Sequence, residues 1–242
     1  MLHRVPFFLE PGYLSKPESF REPHIERMIR KFGDRNTFEQ FKKRHGLVPR
    51  ANEVGIPWTE ELLSARVQSA TLRSHRLVLW VAATVKARHL QIIQEQQSFP
   101  TISIDKLPDA AFVAAEAEAT ETVEALYASL NRRHFEEGGA LNDLSLLLSA
   151  VDEAVCPRFG ITRLDAEVFL AGSETQKTVL RTVERVHDEL GVNSIPTLIV
   201  DGGRFLLSGV ASNESVQDIL MALRRVSELG PIGKKMFNHP TS

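Results

Sequence analysis

Apolar residues recur every three to four positions along most of this chain, and only near its two ends does the spacing shorten. Residues 2–9, "LHRVPFFL", read as a short strand, with Pro6 weakening any ladder and pointing to an edge or a bulge. Ile25, Met28, Ile29 and Phe32 then form an i, i+3, i+4, i+7 stripe, which predicts a helix over 23–32 that Gly33 stops. A shorter helix over 36–46 has Asn36 as its candidate cap and Gly46 at its end. "LVPRANEVGIPW" reads as loop, and Thr59 caps the next helix, which breaks near Ala70 and resumes through residue 96. Residues 110–138 are rich in alanine and glutamate up to the closing glycine and hold no proline, so they predict a long helix. Asn142 or Asp143 opens another that runs to Val155, and 165–170 is a short one. Over 174–190, Val179, Leu180, Val183 and Val186 share one side of a helix that Gly191 ends.

The period then changes. "TLIVD" reads as a buried strand, "GG" (202–203) as a two-residue turn and "RFLLSG" as the returning strand. A last helix follows, capped by Ser212 or Asn213, and the tail over 230–242 carries no pattern. A lone strand and a lone hairpin are not stable sheets. The simplest architecture is α/β: residues 1–18 and 174–229 form one discontinuous sheet-and-helix domain, and 19–173 form a helical insertion.

Composition narrows the chemistry. The net charge of −2 and the absence of any block of like charges argue against nucleic acid as a partner. No apolar run approaches the about 20 residues of a membrane span. The first residues hold two prolines and no small-residue cleavage site, so the default address is the cytoplasm. Cys156 is the single cysteine among 242 residues. One thiol cannot make an internal disulfide, a CxxC redox pair or a thiolate zinc site. The eight histidines are scattered, with no metal-binding spacing.

Helix, loop with X-Pro, antiparallel hairpin, helix is the order found in the second half of a thioredoxin fold. "HDELGVNSIPTLIVDGGRFLLSGVASNESVQDIL" resembles the closing segment of the DsbA-like thioredoxin superfamily, in its FrnE-like branch. Relatives of that branch include 2-hydroxychromene-2-carboxylate isomerases and kappa-class glutathione transferases. "VPFFLEPG" is similar to the branch's second strand. "ATLRSHRLVLWVA" (70–82) resembles its Asn-Thr-x-x-Ala-His-Arg-Leu helix, with Ala70 for the Asn and Ser74 for the Ala. "RHFEEGGALNDLSLLLSAV" (133–151) resembles its Phe-x-Glu-Gly-x-Asp-Leu-Ser-Asp segment. The ordered match covers residues 4–225.

The resemblance implies a thioredoxin-like fold with a large helical insertion and a family activity of thiol-disulfide oxidoreductase. It makes Pro196 the superfamily's cis-proline. Such a bond turns the main-chain groups of Ile195 outward, where an extended peptide or glutathione can pair with them like an added strand. Ser194 reads equally as a hydroxyl donor beside them or as a side chain that only satisfies loop backbone. His75 and Arg76 would face the same groove and hold a carboxylate. The first strand, the CxxC loop and the first helix have no counterpart in the match, so the first βα unit is missing and no catalytic residue is assigned. The expectation is a clipped chain that supplies substrate docking. The alternatives are a glutathione-dependent isomerase or transferase, and a non-catalytic module for a peptide or partner. No permanently bound cofactor and no metal is expected; glutathione is the candidate ligand and a homodimer the candidate assembly. Cys156 reads as a small structural hydrophobe.

Overall fold

The computed structural model describes residues 4–96, 104–195, 197–200, 205–208 and positions 217, 220, 221, 224 and 225. The chain is mostly helical, and its described strands form two small antiparallel sheets. It divides into two compact units: Met1–Pro6 with Glu10–Val179, and Phe7–Leu9 with Leu180–Ser242.

The first unit opens with a tight turn over Pro11–Ser15 and strand β1 (Arg21–Pro23). Helix α1 (His24–Phe32) follows directly and ends at Gly33, whose φ of 90° no side chain would tolerate well. Asp34 caps α2 (Arg35–His45) by accepting the Thr37 amide at 2.8 Å, two residues before the expected cap at Asn36. Leu47–Glu53 forms α3, where the sequence reads as loop. Its Pro49 sits in the first turn, where a missing N–H costs nothing. Thr59 caps α4 (Glu60–Ala65) as expected. The break near Ala70 is a strand, β2 (Val67–Ser69), which pairs Arg21 with Ser69 and Pro23 with Val67.

The helices that follow supply the core. They are α5 (Leu72–Gln96), α6 (Asp109–Asn131), α7 (Leu144–Ala154), α8 (Cys156–Phe159) and α9 (Arg163–Ala171). Leu77, Val81 and Val85 are fully buried and lie four residues apart on one face of α5. Ala111 and Ala115 on α6 pack with Leu90 and Leu107 in a small cluster, whereas Ala119 joins Leu77, Val81 and Val85 in the main one. Leu126, Leu147, Val151 and Ala166 complete the cluster, and Trp80 stacks on Phe169 at 5.1 Å. Between α6 and α7 the chain makes a π-helical turn over Arg132–Glu136.

Helix α10 (Gln176–Asp188) spans the division between the units. In the second unit β3 (Thr197–Val200) pairs antiparallel with β4 (Phe205–Ser208), with Thr197 opposite Ser208. Residues 217, 220, 221, 224 and 225 are helical. The expected strand over 2–9 is not there: residues 4–9 carry no strand, although Phe7–Leu9 group with the hairpin's unit. Pro6 takes a ladder donor out of this short segment, which leaves little to hold it as a strand. The Gly202–Gly203 turn, the caps at Ser212 or Asn213 and the 230–242 tail lie outside the described residues. No described helix is long and apolar enough to cross a membrane.

Leu126 has no exposed surface within the core cluster. Leu126→Ala is expected to lower unfolding stability by about 2–5 kcal/mol, read from the urea midpoint at constant slope.

Candidate functional site

Three arginines of the first unit are buried: Arg27, Arg66 and Arg76. Lysine and arginine seldom go inside unless something compensates the charge. The three differ in what that is.

Arg27, on α1, faces a carboxylate. Its Nε donates to Glu10 Oε1 at 2.6 Å, and its Nη2 pairs with the same oxygen. Arg76, on α5, is satisfied by main chain. Its Nε donates to the Glu174 carbonyl at 3.0 Å, and its Nη2 donates to the carbonyls of Phe169 and Gly172. The Phe169 ring centroid lies 5.3 Å from the guanidinium carbon. Glu18 lies 3.7 Å from Nη1. This side chain therefore ties α5 to the end of α9 and the turn after it.

Arg66 sits at the end of α4, one residue before β2. It is 8% exposed. Its Nη2 makes one contact, 3.2 Å to His24 Nδ1. Nε and Nη1 are buried with no hydrogen-bond partner. No carboxylate among the described residues forms an ion pair with it. Burial, and the like charge of Arg27, push its guanidinium down to about 10. It stays cationic at neutral pH.

The surroundings are aromatic and imidazole. The Arg66 guanidinium carbon lies 5.4 Å from the Trp58 ring centroid and 5.2 Å from that of Phe135, within cation–π range. Trp58 Nε1 donates to the Phe135 carbonyl at 2.7 Å. His24 begins α1, and its amide donates to the Arg66 carbonyl at 2.8 Å. Its Nδ1 also lies 3.0 Å from Gln68 Nε2. Both neighbours are donors, so Nδ1 is the acceptor and the ring is neutral. Burial and the cations Arg66 and Arg27 hold the His24 imidazole down at about 3. His134, inside the π-helical turn, lies with Nδ1 2.8 Å from the Gly139 carbonyl. A carbonyl only accepts, so His134 Nδ1 carries the proton. Burial lowers its basicity too, and Arg66 adds to that. Gly139 is required here: a Cβ would come 2.3 Å from Leu146 Cδ1 and 3.0 Å from the Arg133 carbonyl. The site thus holds one uncompensated positive charge, two neutral imidazoles and an aromatic wall.

None of the positions expected from sequence is among these residues. His75 is half-buried on α5. Arg76 is beside it but committed to main-chain carbonyls. Ser194 and Ile195 belong to the other unit and are exposed, Ile195 at 53%, two residues before the start of β3. Pro196 lies outside the described residues. Cys156 is half-buried, with Sγ 3.8 Å from Asp152 Oδ1. Burial and the Asp152 carboxylate push its thiol up. No group of histidine, cysteine and carboxylate able to hold a metal occurs among the described residues.

Sequence reading misses the Arg66 site for a plain reason. Arg66 and His24 are 42 residues apart, and neither stands in a motif. Arg66 and Gln68 both reach His24 Nδ1, but β2 is too short for that alternation to show in the sequence.

Two expectations can be measured. His24 is held neutral in the folded chain and titrates near 6.5 when unfolded. Below that value the unfolded state binds the extra proton, so stability falls as pH drops from about 6.5 toward about 3, by up to about 1.4 kcal/mol per pH unit. His24→Gln should flatten that slope in urea unfolding at stepped pH. Arg76→Met leaves three main-chain carbonyls without this donor and should cost about 2–4 kcal/mol in the same assay. No protein-family model and no curated protein matches the chain.

Proposed function

We propose that the chain is a DsbA/FrnE-like member of the thioredoxin superfamily whose residues here supply substrate docking rather than thiol chemistry. The observation that carries this reading is the exposed Ser194–Ile195 pair. It lies between helix α10 and the antiparallel β3–β4 hairpin, the order that the resemblance requires. A large apolar side chain left in solvent next to a strand start suits an extended peptide or glutathione that adds main-chain bonds there. Thr197 Oγ1 donates to the Ser194 carbonyl at 2.7 Å, which steadies the turn.

The thiol side of the reading rests on Cys156. It is the only cysteine of the 242 residues, and its thiol is disfavoured as a thiolate. The thiolate is the nucleophile in disulfide exchange. Cys156 therefore contributes little to such exchange on its own. The family activity, thiol-disulfide oxidoreduction, or the glutathione-dependent isomerase or transferase activity of the relatives, would need a nucleophile from outside these residues.

Titration with glutathione and with an extended disulfide-bearing peptide tests the docking. Amide resonances of Ser194, Ile195 and Thr197 should shift first, and Ile195→Asp should weaken binding roughly tenfold, about 1.4 kcal/mol. Binding that leaves those amides unmoved, or rapid insulin reduction that Cys156→Ser abolishes, sinks the reading.

A further inference from the structure

We propose that Arg66 is the anchor of a binding site for a small monocarboxylate. The site lies wholly within the first unit and does not depend on the docking role assigned to Ile195. A guanidinium has five N–H groups in a rigid fork. Here one bond, to His24 Nδ1, is made through Nη2, and Nε and Nη1 have none. Whichever Nη2 hydrogen His24 takes, one complete edge of the fork remains, either Nε with Nη2 or Nη1 with Nη2. Such an edge matches the two oxygens of a carboxylate.

Charge selects the class of ligand. Arg27 is already neutralised by Glu10. His24 is neutral because its Nδ1 accepts from two donors, and burial holds His134 neutral against the pull of its bond to the Gly139 carbonyl. The site therefore presents a net charge of about +1, which one carboxylate cancels; a phosphate dianion would leave a charge in a desolvated place. Trp58 and Phe135 offer an apolar wall for the rest of the acid. Trp58 is the member of this wall nearest an exposed stretch of chain. That residue is half-buried at the end of the stretch Val54–Pro57, where Val54 is 73% exposed and Gly55 takes φ 81°. The Trp58 side chain is held by its Nε1 bond to the Phe135 carbonyl and by ring contacts with Phe135 and Arg66.

The test is calorimetric titration of the full chain with sodium benzoate and sodium acetate, with sodium phosphate and sodium chloride as separate arms. Thermal unfolding follows in the same salts at equal ionic strength. Saturable benzoate binding with a rise in unfolding temperature is expected. Arg66→Lys keeps the charge but loses the fork and should weaken binding roughly tenfold or more. Arg66→Met should abolish the binding without lowering unfolding temperature in the absence of salt, since it removes an uncompensated buried charge. No benzoate binding to the wild-type chain overturns the proposal. So does phosphate or chloride binding as tight as benzoate, or an Arg66→Lys variant that binds benzoate unchanged. Should Arg66→Met fail to fold, the wild-type chain and Arg66→Lys decide it.

Discussion

The close packing of α5 on α6 is the contact on which the first unit depends. In the main cluster Leu77, Val81 and Val85 of α5 meet Ala119, Val123, Leu126 and Leu130 of α6, and in a second cluster Leu90 of α5 meets Ala111 and Ala115. Larger residues on α6 would hold the helices apart and open the core to water. With the pair in place, α7 and α9 have a surface to cover, and Trp80 can stack on Phe169. Arg76 then follows from geometry. It leaves α5 on the side where the chain turns out of α9, and there it meets the carbonyls of Phe169, Gly172 and Glu174.

The three buried arginines show three ways to place a cation inside a protein. A carboxylate answers Arg27, and main-chain oxygens answer Arg76. Arg66 has only an imidazole lone pair and two aromatic rings. The first two arrangements are complete in themselves and serve the fold. The third leaves donors unsatisfied, and unsatisfied buried donors are costly. The neighbouring elements look built around it. The π-helical turn brings in His134 and Phe135, and Gly139 gives His134 its acceptor where no larger residue fits. π-helical turns often mark functional positions.

The resemblance to DsbA-like proteins and the Arg66 site draw on different parts of the chain. One rests on an exposed loop before a hairpin, the other on a buried cluster among helices. Neither requires the thiol of Cys156, which a neighbouring carboxylate and burial keep protonated. Both proposals are of recognition, one through main-chain groups and the other through a guanidinium fork.

Periodicity alone determined the long helices, because a stripe every three to four residues is a local property that survives without tertiary context. It placed α5, α6, α7 and α10 and the β3–β4 hairpin, and Thr59 and Asp143 were legible as caps for the same reason. The short strands β1 and β2 were not legible, because three residues each carry no period and pair only after the helices bring them together. The strand expected over 2–9 failed in the opposite sense: it had the composition of a strand and a proline that undercut the ladder. Arg76 was picked out from a motif as a ligand-binding residue, and only packing revealed the three carbonyls it serves. The Arg66 cluster belongs to tertiary structure entirely. A sequence records that an arginine is present, but whether it is buried, and whether an acid reaches it, depends on residues far along the chain folding around it.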